Sequence, residues 1–282
     1  MKFGPHVSIA GGLPNGPLNA QEVGAETFQI FSRSPRGGKA PEITKELLAD
    51  FKKNLKDANI ESFYIHAPYY INLASATPRI ADSSIQILKD ELKRGSTLGA
   101  NGMMFHIGSA KDFGKEKSTK IVIKAINEIL KDYKGTTKFL IENSAGAGEI
   151  IGATFEEIGE IIKKVKNKKH IGVCLDTCHM FASGYDFRDA KSLNKTVKDF
   201  DKHIGLEYLQ VIHLNDSLKE YNSKRDRHAD IGFGLIGKKA FELLVNHPKL
   251  NHLDAVLETP QKEIVYEKAI KKLIKMDLGH NK

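Results

Sequence analysis

The sequence predicts a single-domain α/β protein, a closed (β/α)8 or TIM barrel that takes in residues 1–282. Three observations favour this fold. The chain, at 282 residues, is long enough to bury one large core. Short apolar runs alternate with segments of helical period. Eight such units recur, which is typical of this barrel at roughly 250 residues. An open doubly wound sheet is the alternative, and the regular repeat favours the closed form.

The eight predicted strands are apolar runs followed by polar or glycine-rich residues. In chain order they are Phe3–Ser8, Thr27–Phe31, Ser62–Ala67, Gly102–Ile107, Lys138–Asn143, Ile171–Asp176, Leu209–Leu214 and Ala255–Thr259. Apolar strands of this kind are typical of parallel sheets covered by helices. Helices are predicted between them, for example at Lys45–Lys56, Ile80–Leu98, Thr119–Lys131, Phe155–Lys164 and Val265–Ile274.

Composition and charge narrow the class of protein. Hydrophobic residues make up 40% of the chain and charged residues 28%, which excludes wholesale disorder. There is no apolar run of membrane-spanning length, so we expect no membrane partner. The net charge of +8 favours an anionic partner, nucleic acid first, although a solvated lysine-rich surface has the same composition.

Cysteine usage and the first residues predict the compartment. Cys174 and Cys178 are too few for a disulfide framework, and we expect both to be structural, with Cys178 in a tight loop facing away from its neighbours and Cys174 facing the same way as Asp176. The opening residues contain no apolar segment of signal-peptide length. A reducing setting and a cytoplasmic location are therefore expected.

Polar residues that can bind a metal mark the ends of six predicted strands. They are His66, His106, Glu142, Asp176, His213 and Glu258. In a barrel the C-terminal ends of the strands meet at one face, where such enzymes build their active sites. Packing alone does not explain the set, because these groups are costly to bury unpaired.

Two short loop motifs extend this set. Asp176 and His179 form D-x-x-H, and Asp226 and His228 form D-x-H. The total is nine ligands: five His, two Asp and two Glu. Three metal ions with one shared carboxylate fit that number. Imidazole and carboxylate ligands without thiolate suit Zn²⁺, with Mn²⁺ or Fe²⁺ as possible substitutes.

The charge of this set points to a substrate. Its four carboxylates give −4 when empty, and three divalent cations change this to +2, which attracts phosphate. Closely spaced metals also stabilise the attacking and leaving oxygens of an in-line displacement. Phosphodiester hydrolysis is therefore the first chemical choice, and the basic charge of the chain agrees with it.

Seven sequence motifs are spread in order over nearly the whole chain. They are GPHVSIAGGL at the start, HAPYYINLAS (66–75), IENSAGAGEIIG (141–152), GVCLDTCHMFASGYD (172–186), HLNDS (213–217), SKRDRHADIGFGLIG (223–237) and LETP (257–260). In these motifs the chain resembles the endonuclease IV family of apurinic/apyrimidinic (AP) endonucleases. The DTCH and DRH blocks are the most specific part of the resemblance.

This resemblance implies a TIM barrel with three zinc ions. His66 and His106 bind the first zinc, and Glu142 bridges to the second. Asp176, His213 and Glu258 complete the second, and His179, Asp226 and His228 hold the third. Glu142 and Glu258 are the expected catalytic carboxylates. The implied reaction is hydrolysis of the phosphodiester 5′ to an abasic site, leaving a 3′-hydroxyl and a 5′-deoxyribose phosphate. The family also trims blocked 3′ ends. The implied partner is double-stranded DNA carrying such lesions, and we expect a monomer.

Two loops are expected to contact DNA. The segment FSRSPRGGK carries Arg33, Arg36 and Lys39, and Tyr69 and Tyr70 follow His66 closely. By resemblance these loops enter the minor groove and hold a bent duplex while the abasic nucleotide is flipped out. The alternative for each tyrosine is that it packs beneath its loop.

The sequence departs from the family pattern in three loops. Ile107 stands where the family usually has Pro, Leu218 where it has Lys, and Phe233 where it has an acidic residue. All nine expected ligands are nevertheless present.

Two rival functions remain. A sugar isomerase or epimerase on a similar barrel needs only one or two metals. The second rival is a non-catalytic DNA-binding protein, which would have no need of nine converging metal ligands.

Overall fold

The fold is a closed parallel barrel, as the sequence predicts. The computed structural model describes residues 1–259 and 263–277. Eight strands form its main sheet: β1 (Lys2–Pro5), β2 (Thr27–Ile30), β3 (Ser62–His66), β4 (Gly102–Phe105), β5 (Lys138–Glu142), β6 (Ile171–Asp176), β7 (Leu209–His213) and β10 (Asp254–Leu257). Their order around the sheet is β1, β10, β7, β6, β5, β4, β3, β2, and all pairs between neighbours are parallel.

The ring closes between β1 and β2. The backbone N–H of Val7 donates to the carbonyl oxygen of Gln29 (2.8 Å), and the N–H of Glu26 donates to the carbonyl oxygen of Phe3 (2.8 Å). Gly4 permits this approach, because a Cβ there would lie 1.5 Å from the carbonyl oxygen of Thr27. The alternative of an open sheet is thereby excluded.

The helices surround the barrel and mostly match the predicted segments. They are α1 (Asn15–Glu22), α2 (Lys45–Asp57), α3 (Pro78–Leu98), α4 (Lys115–Ile129), α5 (Phe155–Lys164), α6 (Thr177–Ser183), α7 (Ala190–His203), α8 (Lys238–Val245) and α9 (Glu263–Met276). A two-stranded antiparallel hairpin, β8 (Asp216–Ser217) and β9 (His228–Ala229), is inserted between β7 and α8.

Two layers of side chains fill the centre of the barrel at its C-terminal half. The lower layer is a buried apolar cluster of Tyr64, Met104, Leu140, Cys174, Val211 and Val256. Each member stands two residues before a predicted strand-end ligand. Because side chains alternate along a strand, those six ligands point into the barrel one layer higher. The prediction that Cys174 shares the facing of Asp176 is consistent with this arrangement.

Candidate metal centre

The upper layer holds one polar residue from each barrel strand. His6 on the segment after β1 and Gln29 of β2 join the six predicted ligands there, since His6 lies beside Glu258 and Gln29 contacts both Glu258 and His213. His106 and Glu258 directly follow their strands rather than ending them. The layer is almost completely buried, so its polar groups must satisfy one another.

Glu142 lies at the centre of the layer, with its two carboxylate oxygens facing different partners. Oε2 lies 3.1 Å from Nε2 of His66 and 3.8 Å from Nε2 of His106. Oε1 lies 3.1 Å from Nδ1 of His213, which is also 3.1 Å from Oε2 of Glu258. Ligand atoms of His66, His106 and Glu142 form one compact group, and those of Glu142, Asp176, His213 and Glu258 form a second. Glu142 therefore occupies the position of a bridge between two metal sites.

A third group lies beside these two and is more exposed. Oδ2 of Asp226 is 3.1 Å from Nε2 of His179, and Oδ1 is 3.2 Å from Nε2 of His228. The Nε2 atom of His228 is also 3.6 Å from Oδ2 of Asp176. All nine predicted ligands thus come together in the arrangement expected from the sequence.

The ring nitrogens of three histidines are oriented by backbone carbonyls. Nδ1 of His66 lies 2.6 Å from the carbonyl oxygen of Ala67, and Nδ1 of His179 lies 2.9 Å from that of Asn143. Nδ1 of His228 lies 3.1 Å from the carbonyl oxygen of Glu258. Since a carbonyl only accepts, each Nδ1 carries a proton and each Nε2 faces its group, where it can offer a proton to a carboxylate or, once deprotonated, a lone pair to a cation. Nε2 of His228 is buried and lies 3.2 Å from Oδ1 of Asp226, but it makes no hydrogen bond of good geometry, which suits a nitrogen that can bind a cation.

Asp176 combines two roles that explain the D-x-x-H spacing. Its Oδ1 accepts from the backbone N–H of His179 (2.7 Å) and so caps the N-terminus of α6. Its Oδ2 accepts from Nδ2 of Asn215 (2.6 Å) and also faces the second group. This cap therefore fixes the backbone of His179 beside the Asp176 carboxylate.

Carboxylates and imidazoles of the centre stabilise each other's charged forms. Burial alone raises the pKa of Glu142, but His106 and His213 hold it well below its usual range. Burial lowers the pKa of His179, yet Asp176 and Asp226 raise it to about 10. Those two carboxylates raise the pKa of His228 to about 9 in the same way. In the absence of cations, protons on the imidazoles thus balance the carboxylates.

The two cysteines are not thiolates. Burial raises the pKa of the Cys174 thiol to about 12. Burial likewise raises the pKa of Cys178, near Asp176, far above neutral. The expectation that Cys178 lies in a tight loop is wrong, because the Asp176 cap starts α6 at Thr177. Its sulfur lies close to ligand atoms of Asp176 and His228, but a neutral thiol is a poor metal ligand.

Comparison with known proteins places this centre in a family. A family model described as a xylose isomerase-like TIM barrel matches residues 18–276. The chain is 42% identical to "Probable endonuclease 4" of Halothermothrix orenii, over 93% of this chain and 94% of that protein. It is also 42% identical to the protein of that name in Clostridium botulinum, over 97% and 98% of the two chains. The chain belongs to the endonuclease IV family.

Solved structures agree with the family and show how widely the fold is shared. Endonuclease IV from Thermus thermophilus superimposes with a TM-score of 0.85 at 29% identity, covering 98% of this chain and 99% of that one. A D-tagatose 3-epimerase-like protein superimposes with a TM-score of 0.73 at 18% identity, covering each chain completely. The second likeness is one of fold alone.

The tyrosine loop of this endonuclease IV family member overhangs the metal centre. Tyr69 is 59% exposed and Tyr70 41%, so neither packs beneath its loop. The Tyr69 ring lies 5.3 Å from the His66 ring and 6.2 Å from the His106 ring, centroid to centroid. Both tyrosines line a cavity of about 430 Å³ that reaches His179 and Asp226.

The arginine loop needs one correction. Arg36 and Lys39 are exposed, as a DNA contact requires. Arg33 is instead only 8% exposed, and its Nε donates to Oε1 of Glu91 (2.8 Å). The guanidinium thus neutralises a buried carboxylate of α3 and anchors the loop rather than presenting itself to DNA.

Sequence reasoning missed His6 and Gln29. Each stands two residues before the predicted end of its strand, Phe3–Ser8 or Thr27–Phe31, whereas the observed strands end at Pro5 and Ile30, so the predicted boundaries hid their position. Neither has a motif partner nearby, and glutamine is seldom a metal ligand.

Proposed function

We propose that this protein is a DNA-repair enzyme that hydrolyses the phosphodiester 5′ to an abasic site in double-stranded DNA. The products are a 3′-hydroxyl and a 5′-deoxyribose phosphate, and blocked 3′ ends are trimmed by the same site. The observation that carries the proposal is Glu142, whose two oxygens face two separate histidine-containing groups below an open cavity. Membership of the endonuclease IV family supports the choice of substrate.

Three zinc ions fit the nine ligands, and Mn²⁺ or Fe²⁺ are possible substitutes. Imidazole and carboxylate donors without thiolate suit zinc. The unpartnered Nε2 of His228 further supports a cation in the third group. When bound, such ions activate water and stabilise charge that develops on a phosphoryl group.

The residues of the chain position the ions and the DNA. Glu142 and Glu258 are the catalytic carboxylates of the proposal: Glu142 belongs to both the first and the second group, and Glu258 to the second. Tyr69 and Tyr70 are placed to occupy the gap left by the missing base, and Arg36 to contact the backbone. A missing base also lowers the cost of extruding the nucleotide, which favours damaged over intact DNA.

We further propose that the protein is a monomer and that it works in the cytoplasm, because its proposed substrate is DNA. Within residues 1–259 and 263–277, no helix is long and apolar enough to cross a membrane.

The test is incubation of metal-loaded protein with a duplex that carries one abasic site, read on a sequencing gel. We expect one cut on the 5′ side of the lesion, abolished by a chelator, and no cut in the matched intact duplex. Epimerisation of a free ketose without any DNA cleavage supports the sugar-epimerase alternative. Tight binding of the abasic duplex by fully metallated protein without a cut supports the non-catalytic alternative.

A further inference from the structure

Gln29 is a buried polar residue of the upper layer that the proposed chemistry does not use. It is fully buried, and its side-chain amide has three partners. Nε2 lies 2.6 Å from Oε1 of Glu258 and 2.9 Å from Nδ1 of His6, and Oε1 lies 2.8 Å from Nε2 of His213.

The surroundings permit only one orientation of this amide. A carboxylate only accepts hydrogen bonds, and Oε1 of Glu258 lies 2.6 Å from the Gln29 amide. The NH₂ group of Gln29 must therefore face Glu258, and its oxygen must face His213. Since that oxygen only accepts, Nε2 of His213 carries a proton. The second amide proton is directed to Nδ1 of His6, which must then carry a lone pair.

His213 consequently differs from the other oriented histidines of the centre. His66, His179 and His228 donate from Nδ1 to a backbone carbonyl and present Nε2. His213 instead presents Nδ1 to Glu142 and Glu258. Among the described residues, the acceptor that orients its Nε2 is a side-chain oxygen, that of Gln29. Unlike a backbone carbonyl, that acceptor can be removed by mutation.

We propose that Gln29 is a positioning residue for the second metal site. By accepting from Nε2 of His213 it directs the Nδ1 lone pair to the metal, and by donating to Glu258 it holds the opposing carboxylate in place. A ligand hydrogen-bonded in this way binds metal more tightly, and removal of such a partner typically costs about 10–100-fold in affinity. The inference rests on the proposed metal centre.

The test compares Gln29→Met with the parent in zinc retention. Methionine has a similar volume and no hydrogen-bonding amide. Under a graded series of chelator concentrations, followed by elemental analysis, we expect the variant to lose one zinc at about 10–100-fold lower chelator than the parent. Thr27→Val is the matched control: Thr27 is a buried polar residue of the same strand, whose Oγ1 donates to the Ser62 carbonyl away from the centre. It should retain zinc like the parent.

A spectroscopic measurement separates positioning from general damage. In zinc-loaded parent, ¹⁵N-histidine NMR should show His213 protonated on Nε2 and metallated on Nδ1. In Gln29→Met, which has no acceptor for the Nε2 proton, part of the His213 population should lose this pattern. Parental zinc retention and an unchanged His213 pattern in Gln29→Met overturn the inference. A parent that holds zinc but does not cut abasic DNA contradicts the proposed function and leaves this test intact.

A different observation concerns the loop that follows the hairpin β8–β9. The buried Asp216 carboxylate accepts hydrogen bonds from the backbone N–H groups of Gly232 (2.9 Å), Gly234 (3.1 Å) and Ile236 (3.0 Å). This loop displays Phe233, which is 79% exposed. Leu218 and Leu235, also more than half exposed, lie on either side of Ser217, since the N–H of Leu235 donates to the Ser217 carbonyl. A rigid loop thus presents an apolar surface to solvent.

The neighbours of this surface are suited to DNA. Asp226 and His228 of the third group precede Phe233 by seven and five residues in the same connection between β7 and α8. Arg225 and Arg227 of the hairpin are exposed, and Nζ of Lys272 lies 5.3 Å from the centre of the Phe233 ring. Cationic side chains of this kind can contact the phosphates of a nucleic acid, and an exposed aromatic ring between them can contact a sugar or a base edge.

We infer that Phe233 is a contact for the DNA strand beside the lesion, on the third-metal side of the site and distinct from the tyrosine loop. The inference rests on the proposed function. Phe233→Ala should weaken binding of an abasic duplex about 10-fold, judged from the usual worth of an aromatic contact to nucleic acid. Zinc content should not change.

Phe233→Tyr is the matched control, because it keeps the ring, and it should bind like the parent. Fluorescence anisotropy at fixed salt supplies the dissociation constants. Equal affinity of Phe233→Ala and the parent overturns the inference. So does a parental dimer, seen by sedimentation, that Phe233→Ala dissociates, since the surface then binds a second copy. If the parent binds abasic DNA no better than intact DNA and does not cut it, the proposed function has failed instead.

Discussion

Glu142 is the residue on which the first two metal sites depend. Replacement by Gln keeps its shape, but an amide nitrogen cannot ligate as a carboxylate oxygen does. We expect Glu142→Gln to fold and to bind abasic duplex, because the positive charge facing the phosphate need not fall. It should cut at least about 100-fold more slowly, the scale on which loss of a charge-stabilising group is felt. Single-turnover nicking, with elemental analysis of the same samples, measures this.

Glu149→Gln is the control for that experiment. Glu149 lies in the same segment but is exposed and belongs to none of the three groups. Glu149→Gln should cut abasic duplex and retain metal almost like the parent. Near-parental cutting by Glu142→Gln means that the bridge is misassigned.

Tyr69 and Tyr70 are proposed to fill the gap left by the missing base, which we call the wedge role. Mutation of both residues tests it. Both rings are exposed beside the cavity, so they are free to stack against neighbouring bases. Changing both to Ala should weaken binding to abasic duplex by about 1–3 kcal/mol. Zinc content should stay constant, since neither tyrosine is a ligand. The wedge role is ruled out if the double variant and the parent bind abasic duplex equally well in a titration.

The loop after β9 is an element whose conformation depends on one carboxylate. Asp216→Asn replaces an acceptor oxygen by an NH₂ group that faces several backbone N–H groups. Leaving such donors unsatisfied costs about 1–3 kcal/mol. We expect faster amide exchange across residues 230–237 and a lower melting temperature, with the first two metals retained.

Asp189→Asn provides a comparison for this element. Asp189 also accepts from backbone N–H groups, those of Lys191 and Ser192, but at the exposed start of α7. Because Asn caps a helix about as well as Asp, this change should cost little stability and should leave exchange in 230–237 unchanged. Unchanged exchange there in Asp216→Asn contradicts the role given to Asp216.

Most elements, and the convergence of the nine proposed ligands at one end of the barrel, could be predicted because the signals are local and periodic. Every strand-end ligand stands two positions after an inward apolar residue, and the D-x-x-H spacing follows from the Asp176 cap. Arg33 could not be placed, because its partner Glu91 is 58 positions away on α3. The role of Gln29 could not be predicted, because its partners Glu258 and His213 are distant in sequence and come next to it only when the barrel closes.

At the scale of the whole molecule, metal removal should lower stability in a pH-dependent way. The pKa values of His179 and His228 are raised to about 10 and about 9 in the metal-free protein. Their paired imidazoliums therefore contribute stability that is complete below the unfolded pKa of about 6.5 and is lost as the pH rises through 9 to 10. In the proposed zinc-loaded protein, zinc stabilises the fold in their place, by about 2.7 kcal/mol for each independent site at one hundred times its dissociation constant.

The melting temperatures of zinc-loaded and metal-free protein should therefore diverge between pH 7 and pH 10. Calorimetry on both forms at each pH measures the gap, and groups common to both forms cancel in the difference. A gap that narrows as the pH rises contradicts the charge balance assigned to the metal-free centre.

Closure of the barrel between β1 and β2 has a consequence for when the protein can act. Gln29 meets Glu258 across 229 positions of sequence, and Glu142 belongs to two groups whose members come from six different strands or their ends. Contacts between such distant parts of a chain form late and slowly in folding. A nascent or partly folded chain therefore has no complete candidate metal centre, so on the proposed function it cannot cut DNA before the barrel has closed.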